Sequence, residues 1–305
     1  MEGRPLHQRT RRRRTILTSV EDAARSLTAR DAPAHDSPWI ITSATVPGAY
    51  HLEQDMLGDD AHAWAETDGG GFVFAVADGV GSARLPAIGS QLAVEVALTR
   101  LLMSPEFQDA RSSSEAIAGF PDVFHQVAND IAAFGASQSG LTPEELATTL
   151  CIGIVTPEWT AAAHLGDGAV VVRDAGSGSL RLLLAPQRLE YEGLVYSASI
   201  PRNEERLRAI LSFGEHGPIS ALAATTDGLV DLSLNVERTE PHAPFFQPLF
   251  ATVEARKHRP NLDQSLTAFL QSERVARAAR DDLTLLLVTT NPDSRLAPGP
   301  DQESM

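Results

Sequence analysis

The chain has 305 residues, 43% of them hydrophobic and 21% charged, with a formal net charge of −15. This length gives one large domain or two small ones with a sizeable core. No apolar run approaches the ~20 residues of a membrane span, and an acidic body argues against nucleic acid as the main partner.

The charge is uneven. Residues 1–14 hold six arginines against Glu2, about +5, leaving about −20 for the remainder. No apolar stretch follows those arginines, so the segment does not read as a secretory signal. Residues 1–38 lack strand alternation and read as a basic, disordered tail. The single cysteine, Cys151, lies in an apolar run and reads as a small buried hydrophobe. A cytoplasmic location fits it.

Trp39 to Val46 reads as a first strand, ended by Pro47-Gly48. An acidic stretch follows: Glu53-Gln54-Asp55, then Asp59-Asp60. Its bland reading is a polar loop. Phe72 to Ala77 is six apolar residues without a break, preceded by three glycines and ended by Asp78-Gly79. Such a run reads as a strand buried on both faces. Pro86 to Met103 has helical spacing, with Ile88, Leu92, Val96 and Thr99 on one face and proline suited to the first turn. A second helix carries Val123, Val127 and Ile131 and ends near Gly135. Thr142-Pro143-Glu144-Glu145 resembles a capping box.

Short strands then dominate: Thr148 to Val155, Thr160 to Leu165, and Val170 to Arg173 turning through Asp174–Gly178 into Leu180 to Leu184. Residues 185–216 lose periodicity and read as a long connection, with a helix near Glu204 to Leu211; such connections are often binding loops. Ile219 to Thr226 is a strand ending in Asp227-Gly228. Helices are expected near Phe245 to Lys257 and Leu262 to Gln271, the second capped by Asn261 with Gln264 at its third position. Leu283 to Thr290 is the last strand, preceded by Asp281-Asp282. Residues 291–305 are a proline-rich acidic tail.

Asp78, Asp167, Asp227 and Asp281 thus each stand at one end of an apolar strand, and three precede glycine. Strand ends on one edge of a sheet converge in space. Packed carboxylates repel and raise each other's pKa, and a divalent cation removes that cost. All-oxygen ligation suits Mg²⁺ or Mn²⁺, and no His/Cys set has zinc spacing. Two such ions clamp a phosphoryl group and ionise a water. The reading is hydrolysis of a phosphate ester.

The ordered set FVFAVADGVGS, ATTLCIGIV, AAAHLGDGAVVVR, LAATTDGLVDL and ARDDLTLLLV resembles the PP2C family of metal-dependent Ser/Thr protein phosphatases, and a bacterial subgroup in particular. The resemblance covers roughly residues 40–290 and implies an α+β fold with four α/β/β/α layers, a central antiparallel β-sandwich flanked by helices. It implies that Asp78 bridges two metals, the Gly79 carbonyl ligates one, and Asp227 and Asp281 serve the other. It sets Glu53-Gln54-Asp55 on the family's first acidic motif, with Gln54 and Asp55 as ligands. Asp167 and Asp231 match residues of a third, weaker metal. The implied activity is hydrolysis of phosphoserine or phosphothreonine by metal-activated water, on a phosphoprotein such as a kinase or its target.

Three positions depart from the pattern. Tyr50 stands where the family has a phosphate-gripping arginine, for which Arg84 or Arg173 are the candidate replacements. Val80 replaces a histidine proposed as general acid, a role open to His51, His62 or a metal-bound water. Gln54 stands where glutamate is frequent. These departures define the rival reading, a PP2C-like module that binds a phosphoprotein or kinase without hydrolysing it.

Overall fold

The structure is a computed structural model that describes residues 37–138, 140–187, 196–235, 237–255, 261–276, 278–279 and 281–294. The expected N-terminal tail, save its last two residues, lies outside that range, as do residues 295–305 of the C-terminal one and residues 188–195 of the long connection.

Among the described residues ten strands form two antiparallel sheets of five. One sheet has the order β1 (Trp39–Val46), β10 (Leu283–Thr290), β9 (Ile219–Thr225), β6 (Ala169–Asp174), β7 (Leu180–Leu184). The other runs β2 (Ala61–Glu66), β3 (Phe72–Ala77), β4 (Leu150–Val155), β5 (Thr160–Leu165), β8 (Ser212–His216). Side chains alternate across each strand. Phe72, Phe74 and Val76 of β3 meet Leu222 and Ala224 of β9 and Leu286 and Val288 of β10 in the layer between the sheets. The other faces are buried too: Leu283, Leu285 and Leu287 of β10 join a core with Phe246, Phe250, Leu266 and Leu270. A strand covered on both faces has no polar positions to alternate with, which is why β3 and β10 read as unbroken apolar runs.

Helices supply the cover. α1 (Ala49–Glu53) is a single turn after β1. α2 (Pro86–Met103), α3 (Pro105–Gln108) and α4 (Ser113–Ser137) follow β3, and α2 and α4 lie on the β2–β5 sheet. α5 (Glu204–Ile210) precedes β8, and α6 (Val230–Ser233) follows a 3₁₀ turn at Asp227–Leu229. α7 (Ala243–Ala255) and α8 (Leu262–Leu270) lie on the β1–β10 side, followed by α9 (Glu273–Ala276). The result is the four-layer α/β/β/α sandwich that the resemblance implies.

The expected bounds of β1, β3, β5, β7, β10 and α2 match the observed ones. The capping box at Thr142 forms, though it opens a 3₁₀ turn, Pro143–Leu146. Two strands escaped the periodicity reading. β2 is AHAWAE, half-buried at every position and without alternation. β8 sits at the sheet edge inside the expected connection, and its central Gly214 has a Cβ direction blocked by the Leu183 carbonyl at 2.5 Å. The expected capping box at Asn261 does not form: Asn261 takes φ +84° and makes no side-chain cap bond.

Candidate metal centre

The sandwich brings five aspartates to one end. Asp78 follows β3 directly. Its N–H donates to Thr149 Oγ1 (2.9 Å), and its carbonyl accepts from Thr149 N (2.8 Å) and Thr148 Oγ1 (2.9 Å). These bonds fix the backbone at the strand end. Gly79 next to it donates to the Asp59 carbonyl (3.1 Å), and a Cβ there would meet Pro86 C at 2.6 Å and Asp59 O at 2.8 Å. Only glycine allows that approach.

Asp167 lies in the β5–β6 turn, Asp227 opens the 3₁₀ turn after β9, and Asp281 precedes β10. Carboxylate oxygens of Asp78, Asp167 and Asp227 all lie within 4.8 Å of one another. Asp281 is close enough for its charge to raise the pKa of all three.

The fifth is Asp60, just before β2. Its Oδ2 accepts from Thr226 Oγ1 (2.7 Å) and Thr284 Oγ1 (2.8 Å), which hold the carboxylate in place. Among the described residues its Oδ1 is buried without a hydrogen-bond partner, as is Oδ1 of Asp227. Burial pushes Asp60 up to about 8, helped by the charges of Asp282 and Asp227 and opposed by the two threonines. Burial likewise pushes Asp227 up to about 7, with Asp167 and Asp281 adding repulsion. Asp78 is raised well above the ordinary carboxylate range, by burial first and then by Asp60, Asp227, Asp281 and Asp167.

Such a cluster is costly by itself, because each ionised group raises the cost of ionising the next. Buried carboxylate oxygens lacking donors, in a set made only of oxygen atoms, match a hard divalent cation rather than zinc. The residues present therefore fit a Mg²⁺- or Mn²⁺-type centre.

The first acidic motif lies at the surface. Gln54 and Asp55 are exposed, Gln54 at the C-terminal end of α1 and Asp55 just beyond it with φ +51°. The intervening Met56–Gly58 carries the chain back inward, and Asp60, five residues on, joins the cluster, where its charge acts on Asp78. The available signal was an aspartate at the entry of a strand adjacent to β3. It was hidden because β2 itself has no apolar alternation. Asp231 is exposed on α6 and turned towards Arg238, whose Nη2 donates to its Oδ1 (2.6 Å).

Arg84 is exposed and paired with Glu145 (3.1 Å). Arg173 is held by Ser220 and Glu254 and lies over the Phe250 ring, in the helix layer of the β1–β10 sheet. His62 is hydrogen-bonded to Thr45 Oγ1 (2.8 Å), and burial pushes it down to about 4.

His51 has a different place. Its Nδ1 meets Asp282 Oδ1 (2.7 Å) and its Nε2 meets Asp59 Oδ2 (3.2 Å), with all three residues buried. Asp282 also accepts from Gly48 N (2.6 Å) and Asp59 N (2.5 Å). Asp59 and Asp282 are the chain neighbours of Asp60 and Asp281. The imidazole thus ties the β2 entry to the β10 entry behind the cluster. His51→Ala would leave two buried carboxylates facing each other without their bridge. We expect a loss of about 3 kcal/mol in unfolding free energy, read by denaturant titration. A loss under about 0.5 kcal/mol would show that the bridge carries no weight.

Comparison with known proteins identifies the family. The sequence pattern of the family "Protein phosphatase 2C" matches residues 47–271. "Serine/threonine-protein phosphatase 3" of Escherichia coli (strain K12) is 30% identical over 255 residues, which is 82% of this chain and 97% of that protein. The fold resembles that of the S. agalactiae serine/threonine phosphatase (TM-score 0.56, 16% identity, 83% of this chain and 100% of that one). It also resembles the catalytic domain of the serine/threonine protein phosphatase PstP, solved with two manganese ions (TM-score 0.54, 16% identity, 83% and 98%). The match spans the cluster-bearing strands from β2 to β9, and the chain belongs to the protein phosphatase 2C family.

Proposed function

We propose that this phosphatase hydrolyses phosphoserine and phosphothreonine in proteins with two Mn²⁺ or Mg²⁺ ions held by Asp60, Asp78, the Gly79 carbonyl, Asp227 and Asp281. Residues 39–290 form the catalytic domain in this reading. The observation that carries it is the set of close carboxylates at one end of the sandwich, two of them with buried oxygens that lack donors among the described residues. When bound, the ions supply Lewis-acid activation of water and charge neutralisation at the phosphoryl group. The protein's part is positional. Thr226 and Thr284 hold Oδ2 of Asp60, leaving its Oδ1 without a donor among the described residues. The Thr148–Thr149 contacts hold Asp78 and Gly79 at the strand end. The bridge through His51 keeps the two acidic loops in register.

A kinase or its target is the substrate class we propose, and a cytoplasmic site of action suits the lone buried cysteine. Among the described residues no helix is long and apolar enough to cross a membrane. The test is turnover of a phosphoserine peptide after exhaustive chelation and after addition of Mn²⁺ or Mg²⁺. Activity is expected to vanish and return. Undiminished turnover in the chelated protein would exclude the metal centre.

A further inference from the structure

Oδ2 of Asp60 accepts two hydroxyl hydrogens, and the source of each can be followed back through the fold. Thr226 Oγ1 accepts the Thr284 amide hydrogen (3.2 Å) and gives its own to Asp60 (2.7 Å). Thr284 Oγ1 also gives its hydrogen to Asp60 (2.8 Å), and it lies 2.8 Å from Thr45 Oγ1. Thr45 Oγ1 in turn lies 2.8 Å from His62 Nδ1. His62, Thr45, Thr284 and Asp60 therefore form a continuous hydrogen-bonded line from β2 to the carboxylate.

Strand register places the line. Thr45 of β1 stands directly opposite Thr284 of β10, so the two side chains leave their sheet on one face. Thr284 shares that face with Leu286 and Val288, which lie in the layer between the sheets. His62 of β2 stands opposite Val76 of β3, a member of the same layer. The imidazole thus reaches from one sheet to a threonine of the other, at the end of the sandwich where the carboxylates gather.

Counting hydrogens gives the line a direction. A carboxylate that binds a metal is ionised, and an ionised carboxylate only accepts. The Thr284 hydroxyl hydrogen is therefore committed to Asp60. The bond between the two threonines must then use the hydrogen of Thr45. A hydroxyl has one hydrogen, so Thr45 has none left for the imidazole, and His62 Nδ1 is the donor. All hydrogens point towards Asp60. The tautomer of His62 is set by a carboxylate three hydrogen bonds away. Bonds polarised in one direction strengthen one another.

We propose that His62, as its Nδ1–H tautomer, is a positioning residue for the metal ligand Asp60, acting through Thr45 and Thr284. The proposal rests on the metal reading above, which makes Asp60 a ligand. In it the line keeps Oδ2 of Asp60 occupied by hydroxyl donors, so that Oδ1 is the oxygen offered to the ion.

The test uses the full chain and two readouts besides activity. The first is the imidazole ¹⁵N spectrum of protein saturated with diamagnetic Mg²⁺, with the His62 signals assigned by their loss in His62→Asn. A protonated Nδ1 is expected, and an unprotonated Nδ1 overturns the proposal. The second is Mn²⁺ affinity by calorimetry for wild type, His62→Leu, Thr45→Val and the double variant. Each single change breaks the same line and is expected to raise the Mn²⁺ Kd by about three- to tenfold, the range of one hydrogen bond. The double variant should add nothing further. His62→Asn sets an amide N–H near the place of Nδ1 and should restore most of the affinity. Thr45→Val carries the test by itself if His62→Leu does not fold. Single variants that melt earlier but bind Mn²⁺ as tightly as wild type overturn the proposal and leave the line as a staple between the sheets. Effects that add in the double variant overturn it as well. A wild type that binds neither Mn²⁺ nor Mg²⁺ would instead overturn the metal reading itself.

Discussion

Asp78→Ala is expected to reduce turnover of a phosphoserine peptide by at least about a thousandfold, the scale at which removing a group that organises transition-state charge acts. Asp78 is the one member of the cluster whose charge is opposed by Asp60, Asp167, Asp227 and Asp281 together, which places it at the centre. Asp78→Asn separates the two roles of the carboxylate. It keeps the volume and removes the negative charge. Turnover should fall by a similar factor, while the metal-free protein should melt at a higher temperature than metal-free wild type near pH 8, because one buried like charge has gone. Steady-state kinetics and thermal unfolding with and without Mn²⁺ check both statements. Wild-type activity in either variant would remove Asp78 from the mechanism.

The second large effect is on pH. Asp60 is raised to about 8 and Asp227 to about 7, from an ordinary value of 3.8, and Asp78 and Asp167 move the same way. A carboxyl with a raised folded pKa binds more protons when folded than when unfolded. Its contribution is fully present below the unfolded value and is lost as pH rises through the folded one. Metal-free protein should therefore lose stability steadily from about pH 4 to about pH 8. We expect at least about 2 kcal/mol between pH 5 and pH 8, or roughly 4–8 °C in melting temperature. Saturating Mn²⁺ should flatten that slope, so the stabilisation by metal grows with pH. A chelated protein whose melting temperature is level across this range would show that the cluster is not held under mutual repulsion.

These expectations depend on residues of unequal legibility. Asp78, Asp167, Asp227 and Asp281 were visible in the sequence because each interrupts an apolar run at its end, where burial of both sheet faces makes the contrast sharp. The same contrast gave β1, β3, β5, β7 and β10 their bounds and, through five motifs in order, the family and the sandwich fold. Patterns of this kind are local: they need only the period of a strand or helix and the residue that stops it.

What the tertiary structure decided was which chemistry-bearing residues meet. Asp60 and Asp55 are five apart, both acidic and both near one strand, and no local pattern ranks them. The fold does so by passing Asp60 beneath Thr226 and Thr284, residues 166 and 224 positions away. His51 gains its two carboxylate partners in the same way, one of them 231 residues on. The sequence by itself determined the strands, their terminal acids and the metal chemistry those acids require, because burial and charge leave marks along the chain. Only the fold chose the fifth carboxylate and the imidazole bridge, because those rest on distances between segments that no spacing along the chain encodes.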